Sequence, residues 1–192
     1  MRAEVMTLGT PNPRQREFLA CEKKYVAFGG ARGGGKSWAV RCKAKLLALR
    51  YAGIRILLVR RSLAELEANH LAFLRQELAD VAEYRAGERQ FRFCNGSVLQ
   101  FGYCGCDRDL DRYQGAEYDV IFLDEATQLK EQWMRQIAAC VRGVNDFPKR
   151  IYYTCNPGGP GHGYIKRLFI DRRFEDGEQP EDYAFIPARV TY

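Results

Sequence analysis

Eight consecutive residues, Gly30-Ala31-Arg32-Gly33-Gly34-Gly35-Lys36-Ser37, have the composition needed to hold a chain of phosphates. Glycines let the backbone curl until its N–H groups point inward, and a helix starting at the end of the turn adds positive potential. The spacing Gly-x4-Gly-Lys-Ser brings the Lys36 ammonium to β- and γ-phosphates and the Ser37 hydroxyl to Mg²⁺. The plain alternative is a flexible glycine loop with an incidental lysine. The flanks argue against it. Tyr25-Val26-Ala27-Phe28 reads as a buried strand and Trp38 to Tyr51 as a helix, and a phosphate loop requires both.

A second constellation is Asp119-Val120-Ile121-Phe122-Leu123-Asp124-Glu125-Ala126, an apolar strand ending in two acids. Such a strand, expected beside the strand of the glycine loop, delivers Asp124 to the Mg²⁺ shell. Glu125 can then orient and deprotonate an attacking water. An acidic pair after a strand is unremarkable alone, but together with the loop it points to ATP hydrolysis with Mg²⁺. No Asn-Lys-x-Asp guanine motif occurs.

Four further segments are read with their bland alternatives beside them. Arg32, inside the loop, either stabilises charge on the γ-phosphate in cis or points to solvent. Thr154-Cys155-Asn156-Pro157-Gly158-Gly159 follows a strand, where Thr154 and Asn156 could sense the γ-phosphate or the lytic water; the alternative is an ordinary turn. Gln15 has an amide that can pair with both the N6 donor and the N7 acceptor of adenine, although a lone glutamine carries little weight. Arg112 faces either a nucleotide or neighbouring subunit, or a surface salt bridge. His70 and His162 stand isolated and receive no metal or base role.

The elements that must position these residues alternate between strand and helix. Ile54 to Arg60 reads as a strand. Leu63, Leu66, Leu71, Leu74 and Leu78 give a helix over Leu63 to Ala79. Phe91 to Phe93 and Ser97 to Phe101 form a hairpin around Asn95-Gly96. Lys130 to Val141 is a helix, Lys149 to Thr154 a strand, Tyr164 to Ile170 a short helix and Tyr183 to Pro187 a last short strand. Alternation of this kind predicts an α/β fold, a mainly parallel sheet with helices on both faces. A whole strand between glycine loop and acidic strand, with glutamate directly after the Mg²⁺ aspartate, favours the RecA-like, additional-strand catalytic-glutamate class of P-loop NTPases.

The chain has 192 residues, a net charge of +6 and seven cysteines without a zinc-like quartet. That length suits one domain, and reduced thiols in the cytosol are expected. No apolar run approaches membrane-spanning length, so no membrane role is expected. Basic residues come in dispersed pairs such as Arg60-Arg61 and Lys166-Arg167, weak evidence for a polyanionic partner.

Taken in order, Gln15, Gly30–Ser37, Leu57-Leu58-Val59-Arg60-Arg61, Phe122-Leu123-Asp124-Glu125-Ala126 and Thr154-Cys155-Asn156-Pro157 resemble the ATPase domain of the large terminase subunit of tailed bacteriophages. The resemblance implies a motor that hydrolyses ATP to drive double-stranded DNA into a procapsid, in the cytoplasm of the bacterial host. It implies that Gly30, Ala31, Arg32, Gly33, Gly34, Gly35, Lys36, Ser37 and Gln15 hold the nucleotide, and that Ser37 and Asp124 hold Mg²⁺. Glu125 would be the base, Lys36 and the cis-acting Arg32 its catalytic companions, and Thr154 and Asn156 the coupling motif. The implied partners are double-stranded DNA, a portal protein, a small terminase subunit and further copies in a homo-oligomeric ring. Such subunits normally continue into a metal-dependent nuclease. Residues 1–192 hold no such acidic cluster, so an ATPase fragment without its nuclease domain is expected. Two other readings are a helicase-like or defence ATPase on nucleic acid, and a prophage remnant that binds ATP without turnover.

Overall fold

The computed structural model describes residues 8–30, 33 and 35–188. Helix α1 (Pro13–Ala20) leads into β1 (Tyr25–Gly30), the glycine turn and α2 (Lys36–Arg50). Next come β2 (Arg55–Arg60), α3 (Leu63–Leu66), a π-helical turn (Glu67–Leu71), α4 (Ala72–Glu77) and three strands, β3 (Ala82–Arg85), β4 (Gln90–Phe93) and β5 (Val98–Tyr103). After a 3₁₀ segment (Asp107–Tyr113) follow β6 (Val120–Leu123), α5 (Glu131–Ala138), β7 (Arg150–Cys155), α6 (His162–Ile165), a second π turn (Lys166–Ile170) and β8 (Tyr183–Ala188).

These strands form one eight-stranded sheet in the order β3-β4-β5-β2-β6-β7-β1-β8. The six strands from β5 to β8 pair in parallel; at one edge β4 pairs antiparallel with both β5 and β3, and so alone runs opposite to the rest. The mainly parallel sheet expected from the alternation is therefore present. The sequence pattern does not announce β3. It is a half-exposed edge strand, Ala82-Glu83-Tyr84-Arg85, and lacks the apolar run that marks a buried one.

Period-two alternation splits the strands between two cores. Val26 and Phe28, Ile56 and Leu58, Val120 and Phe122, and Tyr152 face α1, α2 and the α3–α4 segment. Ala27, Leu57, Val59, Ile121, Leu123, Ile151 and Tyr153 face α5 and α6. Helices thus cover both faces. Helix α2 is buried almost all round and carries four buried cations: Lys36 at its start, and Arg41, Lys43 and Lys45 beyond it. Lys43 Nζ donates to the carbonyls of Leu19 and Cys21 at the end of α1, at 2.5 and 3.3 Å. Lys45 pairs with Glu77 at 2.6 Å, and Arg41 Nη1 donates to the Asn69 carbonyl at 2.6 Å. These long side chains bury their stems and tie α2 to its neighbours through their polar ends.

The placement of β6 corrects the sequence reading. It does not lie beside β1; β7 stands between them, pairing with both. The strand inserted between glycine loop and acids is thus β7, while β2 flanks β6 on its far side. Strand order in space is set by crossovers, which sequence order does not reveal.

Candidate active site

The C-terminal ends of β1, β2, β6 and β7 meet at one crevice, where parallel sheets place their ligands. A cleft of about 440 Å³ opens there, lined by residues of the glycine turn, α2, α4, Glu125 and Asn156. Within the turn, Gly30, Gly33 and Gly35 take positive φ angles of 124°, 78° and 65°. At Gly35 a Cβ would also lie 2.4 Å from Gln15 Nε2, the end of a flexible side chain that can move aside, so it is the left-handed backbone that demands glycine here. The expected contributions of Ala31, Arg32 and Gly34 lie outside the described residues.

Lys36 and Ser37 open α2 directly after the turn and line the cleft. Burial pulls the Lys36 ammonium below its usual range, against the opposing fields of Cys155, Asp124 and Glu125. Ser37 Oγ stands 3.4 Å from Asp124 Oδ2, across 87 residues of chain. A hydroxyl and a carboxylate oxygen facing each other beside a lysine form a hard-oxygen donor set that fits Mg²⁺. The two expected metal ligands are therefore brought together.

Asp124 is 1% exposed and held on several sides. Thr154 Oγ1 donates to its Oδ1 at 2.5 Å, His70 Nε2 lies 2.7 Å from Oδ2, and Arg60 Nε lies 3.2 Å from the same oxygen. Burial alone would raise its pKa; His70, Arg60 and the Thr154 hydroxyl override that and hold the carboxyl well below the usual range. It is an ionised carboxylate at neutral pH.

Glu125 takes the left-handed conformation, φ 53°, which is strained for a residue with a Cβ. Its N–H donates to Thr154 Oγ1 at 2.8 Å, and its Oε1 pairs with Arg60 Nη2 at 2.9 Å. The side chain is 38% exposed at the cleft. Thr154 thus holds both acids at once through one hydroxyl. Asn156 also lines the cleft; its carbonyl accepts from Thr127 Oγ1 at 2.9 Å, and its buried Oδ1 has no hydrogen-bond partner among the described residues.

Gln15 sits in the first turn of α1. Its Oε1 accepts from the Asn12 N–H at 2.9 Å, closing a capping box, and its Nε2 donates to the Gly35 carbonyl at 3.2 Å. Both amide ends are engaged within the chain, and an adenine edge would compete with them. Arg112 stacks on the Tyr103 ring at 4.0 Å and pairs with Asp109 at 3.2 Å, away from the cleft.

Sequence reasoning misses two members of the site. Arg60 carries no role in it, although this residue ends β2 beside the crevice. His70 looks isolated. One signal exists. Leu66 and Leu71 are five apart, a step that α-helical spacing does not provide and a π turn does.

Residues 27–192 match the family described as terminase large subunit, T4likevirus-type, N-terminal. The chain belongs to this terminase family. The large terminase of a thermophilic bacteriophage superposes with a TM-score of 0.73 at 17% identity, covering 91% of this chain and 45% of that one. The complex of that phage terminase with ADP gives 0.73 at 16%, covering 92% and 44%. The N-terminal domain of the DNA packaging ATPase from bacteriophage phi29 gives 0.61 at 19%, covering 92% and 95%. At such identities the likeness is one of fold. This terminase chain spans under half the length of the thermophilic phage's protein. No curated protein sequence matches it.

Proposed function

We propose that this terminase chain binds ATP with Mg²⁺ and hydrolyses it, as the N-terminal ATPase domain (1–192) of a motor that drives double-stranded DNA into a procapsid. The observation that carries the reading is that Lys36, Ser37 and Glu125 line one cleft with Asp124 buried behind them, its Oδ2 3.4 Å from Ser37 Oγ. Family membership supports the packaging role, and the thermophilic phage's large terminase is known in complexes with ADP and ATP-γ-S. Lys36 and the backbone N–H groups of Gly30–Ser37 bind the phosphates, and Arg32 adds its charge in cis. Ser37 and Asp124 would hold Mg²⁺, which would neutralise charge on the phosphates when bound. Glu125, freed from Arg60, takes the proton of the attacking water. Thr154 and Asn156 couple the state of the site to β7 and the turn after it, and Gln15 reads the adenine by exchanging its bonds to the Asn12 N–H and the Gly35 carbonyl for bonds to the base.

The partners proposed are DNA, a portal protein, a small terminase subunit and further copies in a ring, in the cytoplasm of the bacterial host. No helix among the described residues is long and apolar enough to cross a membrane. No nuclease activity is assigned to these residues. The test is steady-state ATP hydrolysis with and without double-stranded DNA. Turnover that falls about 10²–10⁴-fold in E125Q, with ATP binding retained, supports the base assignment. Undiminished turnover in E125Q refutes it. Stimulation by DNA supports the motor.

A further inference from the structure

We propose that His70 is a positioning residue for the metal, acting through Asp124; the inference rests on the reading of the cleft as an Mg·ATP site. His70 is fully buried, and its Nε2 lies 2.7 Å from Asp124 Oδ2, the oxygen that faces Ser37. Asp124 is ionised and can only accept, so Nε2 carries the proton and donates. The ring's other nitrogen, Nδ1, has no hydrogen-bond partner among the described residues. Its one hydrogen bond is therefore committed to Asp124.

Arg60 does not duplicate this role. Its Nε is 3.2 Å from the same oxygen but lacks hydrogen-bond geometry, while its Nη2 goes to Glu125. Thr154 fixes Oδ1 from the β7 side, and His70 fixes Oδ2 from the helical side. With both oxygens pinned, the carboxylate cannot rotate about its Cβ–Cγ bond, and one lone-pair direction of Oδ2 stays aimed at the Ser37 hydroxyl. Outer-shell donors of this kind orient the groups that hold a metal.

The backbone is built to present the ring. The helix from Leu63 to Glu77 is broken by a π turn at Glu67–Leu71, closed by an N–H of Ala72 donating to the Glu67 carbonyl. The wider turn keeps Leu66 and Leu71 in the core despite their five-residue spacing and turns His70 inward with them. The same turn borders the cleft. Asn69 and Phe73 line it, and the Asn69 carbonyl accepts from Arg41. His70 thus links the metal carboxylate to a cleft wall.

The test uses the full chain with ADP as the nucleotide. ADP affinity is measured by calorimetry in EDTA, and Mn²⁺ affinity of the ADP complex by electron paramagnetic resonance. In H70L, ADP affinity in EDTA is expected to stay at the wild-type value while Mn²⁺ affinity falls about 10–100-fold. H70Q, whose amide nitrogen reaches the Nε2 position, is expected to recover most of that loss. H70N places its amide only as far as Nδ1 and is expected to behave like H70L; it serves if leucine prevents folding. Wild-type Mn²⁺ affinity in H70L or H70N overturns the proposal, as does an equal loss in H70Q. The control is K36A. If K36A binds ADP as the wild type does, the reading of the cleft itself fails, whatever the His70 variants do.

Discussion

Replacing Thr154 by valine tests whether one hydroxyl organises both acids. Thr154 is 1% exposed, and valine has nearly its shape, so the change removes two hydrogen bonds without opening a cavity. Asp124 Oδ1 loses its 2.5 Å donor, worth about 1.5–3 kcal/mol for a charged acceptor. The Glu125 N–H loses its 2.8 Å acceptor, a further cost of about 1–3 kcal/mol if it stays unpaired. Two terms offset these. An added buried methyl returns about 0.8 kcal/mol. Release of Glu125 from its left-handed conformation (φ 53°) returns about 1 kcal/mol more. The net expectation for T154V is a loss of about 1–4 kcal/mol, a sizeable part of the roughly 5–15 kcal/mol of a typical domain. Urea unfolding, with the slope checked for constancy, measures it. ATP turnover in T154V is expected to fall further than folding accounts for, because Glu125 loses its fixed aim. T154S keeps the hydroxyl and should cost only about 1 kcal/mol while retaining turnover. T154V within about 0.5 kcal/mol of wild type, at equal turnover, would refute the reasoning.

Three other outcomes are expected. G35A should lose nucleotide affinity and about 1–2 kcal/mol of stability, since its φ of 65° opposes a Cβ and the nearby Gln15 amide must move aside; binding and unfolding measurements check this. R60M should cost on the order of 3 kcal/mol in chemical unfolding, because it strips a buried cation from Asp124 and leaves Glu125 unpaired. Lys43 is pushed down to about 8 by burial, first of all, and by the nearby Arg150. Between pH 8 and its unfolded value of 10.5 the unfolded chain binds more protons, so this group adds stability as pH rises, up to about 3 kcal/mol. Below pH 8 the penalty is constant. The stability difference between wild type and K43M should therefore shift toward the wild type across that window, and a flat difference would count against the burial cost assigned to Lys43.

What can be read from the chain divides along a physical line. The glycine turn is legible because its conformation demands particular residues: Gly35 takes a left-handed backbone, and Lys36 and Ser37 follow at fixed helical offsets. The acidic strand is legible because it is buried on both faces and ends abruptly in charge. Strand order is not local. Whether β7 or β6 stands beside β1 depends on crossovers that leave no mark in either strand, and the sequence reading places the wrong one there. The supporting side chains are hidden for a different reason. Arg60 and His70 reach Asp124 from 64 and 54 residues away, and their own neighbourhoods look like an ordinary strand end and helix. An arginine after an apolar strand is normally taken for a surface residue, yet here it is 4% exposed because an ionised aspartate needs a cation. The five-residue step from Leu66 to Leu71 is the exception: a local irregularity with a local cause, easily read as noise in a leucine stripe although it marks the turn that brings His70 to the metal carboxylate. Irregular spacing inside an otherwise periodic element is evidence about the site here because π turns are frequent at functional sites and this one turns His70 toward Asp124.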